Sequence, residues 1–186
     1  MPDASQTDRD DRRGPHVIME RWDPVPGSPL GPLSLVSDGD SLLAVDFAPF
    51  DTRLKDLLAR HHGAVTTHPG RIPEPIRTAL AAWFAGDLAA LDAVPTRTGG
   101  TPFQRAVWDG LRAIPPGETE SYGTLAARLG RSGAARAVGR ANALNPLAIV
   151  VPCHRVVGAG GTLTGYAGGL DRKRWLLDHE ARHRRR

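Results

Sequence analysis

The sequence has 186 residues, of which 40% are hydrophobic and 24% charged, enough apolar side chains to form the core of one large domain or two small ones. No stretch approaches the roughly 20 apolar residues of a membrane helix, and Met1–His16 is polar and charged, which does not fit a secretory signal. The single cysteine excludes an internal disulfide or a zinc site built on several thiolates. The net charge of +4 is uneven, because residues 1–95 carry −5 and residues 96–186 carry +9.

The first half of the chain predicts a small α/β domain at residues 16–95, preceded by a disordered arm at residues 1–15. A turn at Ser37–Asp40 indicates a hairpin between two apolar strands. Gly86 marks the end of a helix whose first turn contains a proline. We expect a small antiparallel sheet with helices, in which the strands are His16–Trp22, Leu33–Val36 and Leu42–Phe47 and the helices are Leu54–His62 and Pro75–Ala85.

Three histidines of this half, His61, His62 and His68, are candidate metal ligands. No cysteine or carboxylate cluster accompanies them, so we expect histidines on the surface near a loop. We therefore predict no metal site, and the sequence carries no cofactor motif.

The second half, residues 96–186, predicts a mainly helical domain that follows a boundary in Leu88–Gly100. Thr101 and Pro102 are typical of a helix start, and Ile114–Gly117 ends that helix. Ser121 caps a short helix, Tyr122–Leu129, and a turn at Arg131–Gly133 leads to a second one at about Ala134–Leu144. This arrangement fits a winged-helix-like helix-turn-helix or an ordinary helical hairpin.

The second of these helices has an unusual outer surface. Ala135 and Gly139 are small, and Arg136 and Arg140 lie one turn apart. A helix that reads base edges normally carries long polar side chains, so this one favours close approach to a groove and to phosphates. The charge of +9 on this half is typical of a polyanion-binding protein, and +5 remains without the four arginines of the C-terminal tail.

The lone cysteine lies in Val150–Val157, where His154 follows it directly. A cysteine in an apolar run is either an inert core residue or a thiolate activated by a nearby imidazole. A glycine-rich segment at residues 158–169 comes next, either a loop over a ligand or a plain hairpin. The final helix, Asp171–His183, contains Glu180 in apolar surroundings, and buried carboxylates are usually paired.

These residues resemble the O6-alkylguanine-DNA alkyltransferases, also called methylated-DNA–protein-cysteine methyltransferases. The resemblance covers nearly all of residues 101–180, in order. The segments that carry it are Thr101–Gln104, Val107–Trp108, Ile114–Pro115, Ser121–Gly123, Ala135–Gly139, Asn145–Pro146, Pro152–Val156, Leu163–Gly169 and Trp175–Leu177 with Glu180.

The resemblance implies a role for each matching residue. Cys153 would accept an alkyl group, activated through His154, a water and Glu180. Tyr122 would help to push the damaged nucleotide out of the duplex, and Arg136 would fill the space it leaves. Asn145 would order the turn before the cysteine segment. The minor-groove contacts would come from Ser121, Tyr122, Ala135, Arg136, Gly139 and Arg140, and the pocket wall from Val156, Leu163, Tyr166, Ala167 and Gly168.

The predicted function is DNA repair by a single, irreversible transfer of an alkyl group from O6 of guanine, less readily from O4 of thymine, to Cys153. The expected partner is double-stranded DNA with a flipped base, and we expect a cytoplasmic monomer without a membrane partner. A lesion-binding relative without activity would carry tryptophan at the acceptor position. A transcription regulator would carry base-reading side chains on its second helix. A cysteine hydrolase would need an oxyanion hole and would turn over repeatedly.

Overall fold

The computed structural model of the protein describes residues 15–49 and 51–184. The elements in these ranges are, in chain order, strands β1 (His16–Trp22), β2 (Leu33–Ser37) and β3 (Leu42–Phe47), helix α1 (Asp51–His62), strand β4 (Thr66–Pro69), helices α2 (Glu74–Ala85) and α3 (Pro102–Arg112), strand β5 (Glu120–Ser121), helices α4 (Tyr122–Arg128) and α5 (Ala135–Ala143), strand β6 (Val156–Val157) and helix α6 (Leu170–His183). The predicted arm lies outside these ranges except for Pro15. None of the described helices is long and apolar enough to cross a bilayer.

The N-terminal sheet has four strands in the order β3-β2-β1-β4. The predicted strands and the hairpin between β2 and β3 are confirmed. The expectation of a purely antiparallel sheet is wrong, because β4 pairs parallel with β1. Helix α1 carries the chain from β3 to the far edge of the sheet, and such a crossover allows parallel pairing. Residues 66–69 are partly exposed, so β4 lacks the apolar run by which a strand is recognised.

Both faces of this sheet are covered, because side chains of β2 and β3 contribute to a separate hydrophobic cluster on each side. On one side, Val36 and Leu43 pack with Leu54 and Leu58 of α1. On the other side, Leu35 and Phe47 join the main core with Leu80 and Trp83 of α2. The strands β2 and β3 are therefore buried along their whole length.

The helices of the second half begin and end where local chemistry predicts. Thr101 and Gln104 form a capping box at the start of α3, and Pro102 occupies the first turn. Ser121 caps α4 by accepting a hydrogen bond from the backbone N–H of Thr124. Helix α5 follows after the turn at residues 131–133 and packs against α4 and α3. The helix-turn-helix outline is confirmed.

The two halves share one continuous core. Buried side chains connect the sheet with α3, α5 and α6 without a break. The edge strand β3 also bonds to the second half directly, since the Val45 N–H donates to the Pro146 carbonyl at 2.8 Å and the Ala148 N–H donates to the Val45 carbonyl at 3.0 Å. The division at residues 95 and 96 stays a prediction. The sheet edge supports the turn that leads to Cys153.

Candidate active site around Cys153

Cys153 begins a short 3₁₀ turn, Cys153–Arg155, and is held there by the segment before it. The buried Asn145 side chain donates through Nδ2 to the Val151 carbonyl at 2.9 Å and accepts through Oδ1 from the Leu147 N–H at 3.0 Å. Ile149, a β-branched residue, has a φ of +72°, which is strained for such a side chain. The chain is thus folded back tightly between α5 and the cysteine.

The Cys153 side chain lies at the wall of a cavity of about 420 Å³. The residue is 7% exposed, and its thiol is free. The cavity is lined by residues of β3, α1, α4, α5, the turn at Asn145 and the glycine-rich segment. The lining residues are Asp46, Phe47, Arg53, Tyr122, Gly139, Asn142, Ala143, Asn145, Ala148, Cys153, Thr164, Gly165, Tyr166, Ala167 and Gly168.

A buried hydrogen-bonded pair lies next to the thiol along the chain. His154 is fully buried, and its Nε2 lies 2.8 Å from Oε1 of Glu180. Glu180 also accepts from the Arg155 guanidinium at 2.8 to 3.2 Å and from the Gly117 N–H at 2.9 Å. Burial opposes ionisation of this carboxyl, but His154 and Arg155 outweigh it and lower its pKa to about 2. Glu180 is therefore a carboxylate near neutral pH.

The imidazole of His154 is poised to exchange a proton. Burial lowers its pKa, and the Glu180 carboxylate acts in the opposite direction. Its Nδ1 is buried and has no hydrogen-bond partner among the described residues. A neutral histidine oriented through one nitrogen leaves the other available as a base.

The thiol itself is held mainly in its neutral form. Burial raises the pKa of Cys153, while the side chains of Asn145 and Tyr166 and the cations Arg53 and Lys173 act to lower it. A thiolate in this cavity therefore requires a base to remove the proton, and groups that favour the anion already surround the sulfur.

Two tyrosines, Tyr122 and Tyr166, form part of the cavity wall. The Tyr122 hydroxyl donates to the Gly165 carbonyl at 3.4 Å, and burial and a Cys153 thiolate raise its pKa. Burial also raises the pKa of Tyr166 well above its usual value, and its ring packs edge-on against Phe47 at 6.0 Å. Both hydroxyls therefore remain protonated near neutral pH.

Lys173 is a site residue that the sequence analysis missed. It is fully buried, and its Nζ donates to the Val156 carbonyl at 2.6 Å and to the Thr164 carbonyl at 3.1 Å. Burial lowers the pKa of this lysine, and a Cys153 thiolate raises it. In the sequence, Lys173 lies about one helical turn before Leu176 and two turns before Glu180. This spacing places all three residues on the inner face of α6 and was the signal that could have identified it.

The N-terminal half also reaches the cavity, which the sequence analysis did not predict. Asp46 is 2% exposed and forms an ion pair with Arg53 of α1. The Arg53 guanidinium also donates to the carbonyls of Ala143 at 3.1 Å and Asn145 at 3.5 Å. An aspartate in the otherwise apolar strand β3 was the only local indication of this link.

The predicted DNA-contacting residues lie together on α4 and α5. Arg136 and Arg140 are exposed and form no ion pair with the described residues. Gly139 faces the Tyr122 ring, where an added Cβ would lie 3.7 Å from Cε1. Ser121 caps α4, and Ala135 is half-buried at the start of α5.

Some predicted pocket residues lie elsewhere. Tyr166, Ala167 and Gly168 line the cavity, but Val156 and Leu163 do not. Val156 is fully buried in β6 as part of the main core, and only its carbonyl is tied to the site through Lys173. Leu163 is half-buried outside the lining.

The three N-terminal histidines do not gather at one place. His68 is exposed and stacks on His16, whereas His61 and His62 are half-buried and His61 packs against Trp108, with ring centroids 5.4 Å apart. His61 and His62 are thus only partly exposed, and α1 packs His61 against Trp108 of the second half. Within the described ranges, no group of three or more His, Cys, Asp or Glu side chains has the arrangement of a metal site.

Known proteins are similar to this chain over most of its length. Residues 102–182 match the family described as 6-O-methylguanine DNA methyltransferase, DNA binding domain. The chain is 54% identical over 160 residues to the methylated-DNA–protein-cysteine methyltransferase of Salmonella typhimurium, covering 82% of this chain and 91% of that protein. It is 47% identical over 157 residues to the protein of the same name from Mycobacterium tuberculosis, covering 82% and 88%. The crystal structure of Mycobacterium tuberculosis OGT in complex with DNA matches with a TM-score of 0.72 and 40% identity, covering 90% of this chain and 94% of that one.

Proposed function

This chain belongs to the methylated-DNA–protein-cysteine methyltransferases, and we propose that Cys153 is its alkyl acceptor and that its substrate is a guanine alkylated at O6 and flipped into the Cys153 cavity. It repairs DNA by transferring an alkyl group from a damaged base to one of its own cysteines. The single observation that carries the assignment of the acceptor is the position of the chain's only thiol at the cavity wall, next to the His154–Glu180 pair.

Displacement at an alkyl carbon requires a soft nucleophile, and thiolate is the best that a protein offers. His154, oriented by Glu180, takes the thiol proton through its free Nδ1 by way of a water. The sulfur then attacks the alkyl carbon, the carbon–O6 bond breaks, and its electron pair stays with the base. Tyr122 donates a proton to the leaving guanine and regains one from the imidazolium, so the net proton transfer is from the thiol to the base.

The product at Cys153 is a thioether, which has no good leaving group. The chain carries no cofactor motif that would remove the alkyl group. Each molecule therefore acts once, and repair stops at one alkyl group per protein.

The DNA surface is formed by α4 and α5. The small residues Ala135 and Gly139 allow close approach to the minor groove, and Arg140 contacts phosphates. Flipping exposes the damaged base at a cost of a few kcal/mol, and Arg136 offsets part of it by occupying the vacated stack. We expect the protein to act as a monomer in the cytoplasm, where a lone cysteine stays reduced.

The test is incubation with duplex DNA that contains O6-methylguanine, followed by intact-protein mass spectrometry. We expect a gain of about one methylene unit, because the thiol proton is lost, at a limit of one group per molecule. Cys153→Ser should bind the duplex and gain nothing. Transfer that survives in Cys153→Ser, or turnover well beyond one equivalent, would overturn the proposal.

A further inference from the structure

Arg172 of α6 bonds to the wall of the Cys153 cavity but is not among the residues that line it. Its half-buried guanidinium reaches three separate segments of the chain. Nη1 donates to the Gly168 carbonyl at 3.1 Å, Nε to the Leu30 carbonyl at 2.8 Å, and Nη2 to the Ala48 carbonyl at 3.2 Å. Leu30 precedes β2 and Ala48 directly follows β3, so this side chain joins the first half of the chain to the glycine-rich segment.

The same guanidinium covers an aromatic ring of the cavity wall. Its Cζ lies 5.1 Å from the centre of the Phe47 ring, which lines the cavity from the first half. Gly168 lies directly against that ring, since a Cβ added to it would be 2.6 Å from Cδ2 of Phe47. Tyr166 packs edge-on against the same ring, with centroids 6.0 Å apart. Two parts of the wall therefore meet here, and Arg172 contacts Phe47 through its ring and Gly168 through its carbonyl.

Arginine suits this position better than another cation would. Its guanidinium is planar and donates in fixed directions, so one side chain holds three carbonyls at once. The neighbouring Lys173 provides the contrast, because its Nζ bonds to the carbonyls of Val156 and Thr164, which both belong to the second half. Lys173 thus fixes the glycine-rich segment within its own half, whereas Arg172 fixes it against the first half.

We propose that Arg172 is a positioning residue that sets the separation between Phe47 and residues 166–168 and so limits the size of the alkyl group that Cys153 accepts. The inference rests on the proposed function, in which the alkyl group lies in the cavity between the base and the sulfur. A closely packed wall cannot yield to extra atoms without losing contacts, and one additional methylene changes the rate in an apolar pocket by about 10-fold or more. Arg172 is outside the lining, so it acts through the residues that it holds.

The test is a ratio of single-turnover rates for two lesions. Wild type and Arg172→Met each react with duplexes that carry O6-methylguanine or O6-butylguanine, and intact-protein mass spectrometry follows the alkylation of Cys153. Wild type should transfer methyl faster than butyl. In Arg172→Met the ratio of the butyl rate to the methyl rate should rise about 10-fold, because the wall gives way to the longer chain. Arg172→Lys keeps the charge and should raise the ratio as well, since one nitrogen cannot replace donors that point in different directions.

The matched control is Arg174→Met, which removes an exposed charge from the same helix and should keep the wild-type ratio. A role of Arg172 in stability alone would lower the methyl and butyl rates by the same factor and leave the ratio unchanged. The proposal is overturned by that result, or by a wild type that transfers both groups equally fast. If Arg172→Met does not fold, Arg172→Lys provides the same test. A failure of the proposed function is distinct, because wild type would then alkylate Cys153 from neither duplex.

Discussion

At the scale of single residues, the proposed activation of Cys153 depends on Glu180, a carboxylate that lies outside the described lining of the cavity. Glu180 orients His154 and favours its protonated form. In the proposed mechanism the thiol loses its proton to that imidazole. Glu180→Gln keeps the shape and removes the charge. The pH at which the thiol becomes reactive should rise by about one unit, so transfer near neutral pH should slow about tenfold. The rate of Cys153 alkylation by a small reagent, followed across a pH range, measures this shift. If the pH dependence of that rate is the same in Glu180→Gln and wild type, Glu180 takes no part in deprotonating Cys153.

The same carboxylate should make the fold sensitive to acid. The pKa of Glu180 is about 2 in the folded protein against 4.5 as the ordinary value. A depressed pKa contributes stability that is present above about pH 4.5 and lost as the pH falls towards 2. The loss from this one group should be about 3 kcal/mol. Urea unfolding at pH 7 and pH 3 should show a smaller decrease for Glu180→Gln than for wild type, and equal decreases would contradict the assignment.

At the scale of elements, α6 holds the glycine-rich segment through the buried Lys173 and through Arg172, which donates to the Gly168 carbonyl at 3.1 Å. Lys173 ties the carbonyl of Val156 in β6 to that of Thr164 in the segment. Lys173→Met fits an apolar site but leaves both carbonyls unpaired, at about 1 to 3 kcal/mol each. Amide hydrogen exchange at residues 162–168 should accelerate. The rate of alkyl transfer should fall about tenfold, because the part of the cavity wall that contains Tyr166 is less firmly held.

The control for this variant is Arg174→Met. Arg174 is the next residue of α6, but its side chain is 60% exposed and pairs only weakly with Asp171 at 3.6 Å. Removing that charge should change neither exchange nor transfer. If Lys173→Met leaves the segment as protected as Arg174→Met does, the segment is held by other contacts.

Another element-scale link joins α1 to the end of α5. Arg53 pairs with Asp46 and donates to the carbonyl of Ala143, the last residue of α5. Arg53→Gln removes the guanidinium that pairs with the buried Asp46 carboxylate. The free energy of unfolding should fall by about 2 kcal/mol, a value kept small because Arg53 is partly exposed. Adding Asp46→Asn should recover most of that loss. A double variant as unstable as the two single losses combined would show that the pair is not coupled.

These elements also show which parts of the structure follow from local sequence. The capping box at Thr101 and the cap at Ser121 fix α3 and α4 from neighbouring residues, so the helix-turn-helix was predictable. The partners of Arg53 lie up to 92 residues away along the chain, and no local pattern announces them. Strand β4 was missed for the same reason, since its pairing with β1 depends on where α1 ends. The catalytic assignments of Cys153 and its neighbours came from the resemblance.

At the scale of the whole molecule, the second half carries the DNA surface and the acceptor, while the first half completes the cavity. The charge of +9 on residues 96–186 attracts the duplex without regard to sequence. The sheet edge contributes Asp46 and Phe47 to the wall and bonds directly to the Asn145 turn through Val45. A second half prepared alone would therefore lack part of the cavity.

In the proposed mechanism, base flipping and electrostatic attraction of DNA are separate properties of this surface, and Arg136 and Arg140, one turn apart on α5, allow each to be tested alone. Arg136→Ala should slow repair of O6-methylguanine in duplex DNA about tenfold, because the vacated stack is no longer filled. The same variant should react at the wild-type rate with the free base, which needs no flipping. Arg140→Ala, on the same exposed side of α5, should instead weaken DNA binding and reduce its salt dependence by about one phosphate contact. If Arg136→Ala slows transfer from the duplex and from the free base equally, Arg136 acts on the cavity and not on flipping. If the rate with the duplex is unchanged, Arg136 has no role in the flipping step.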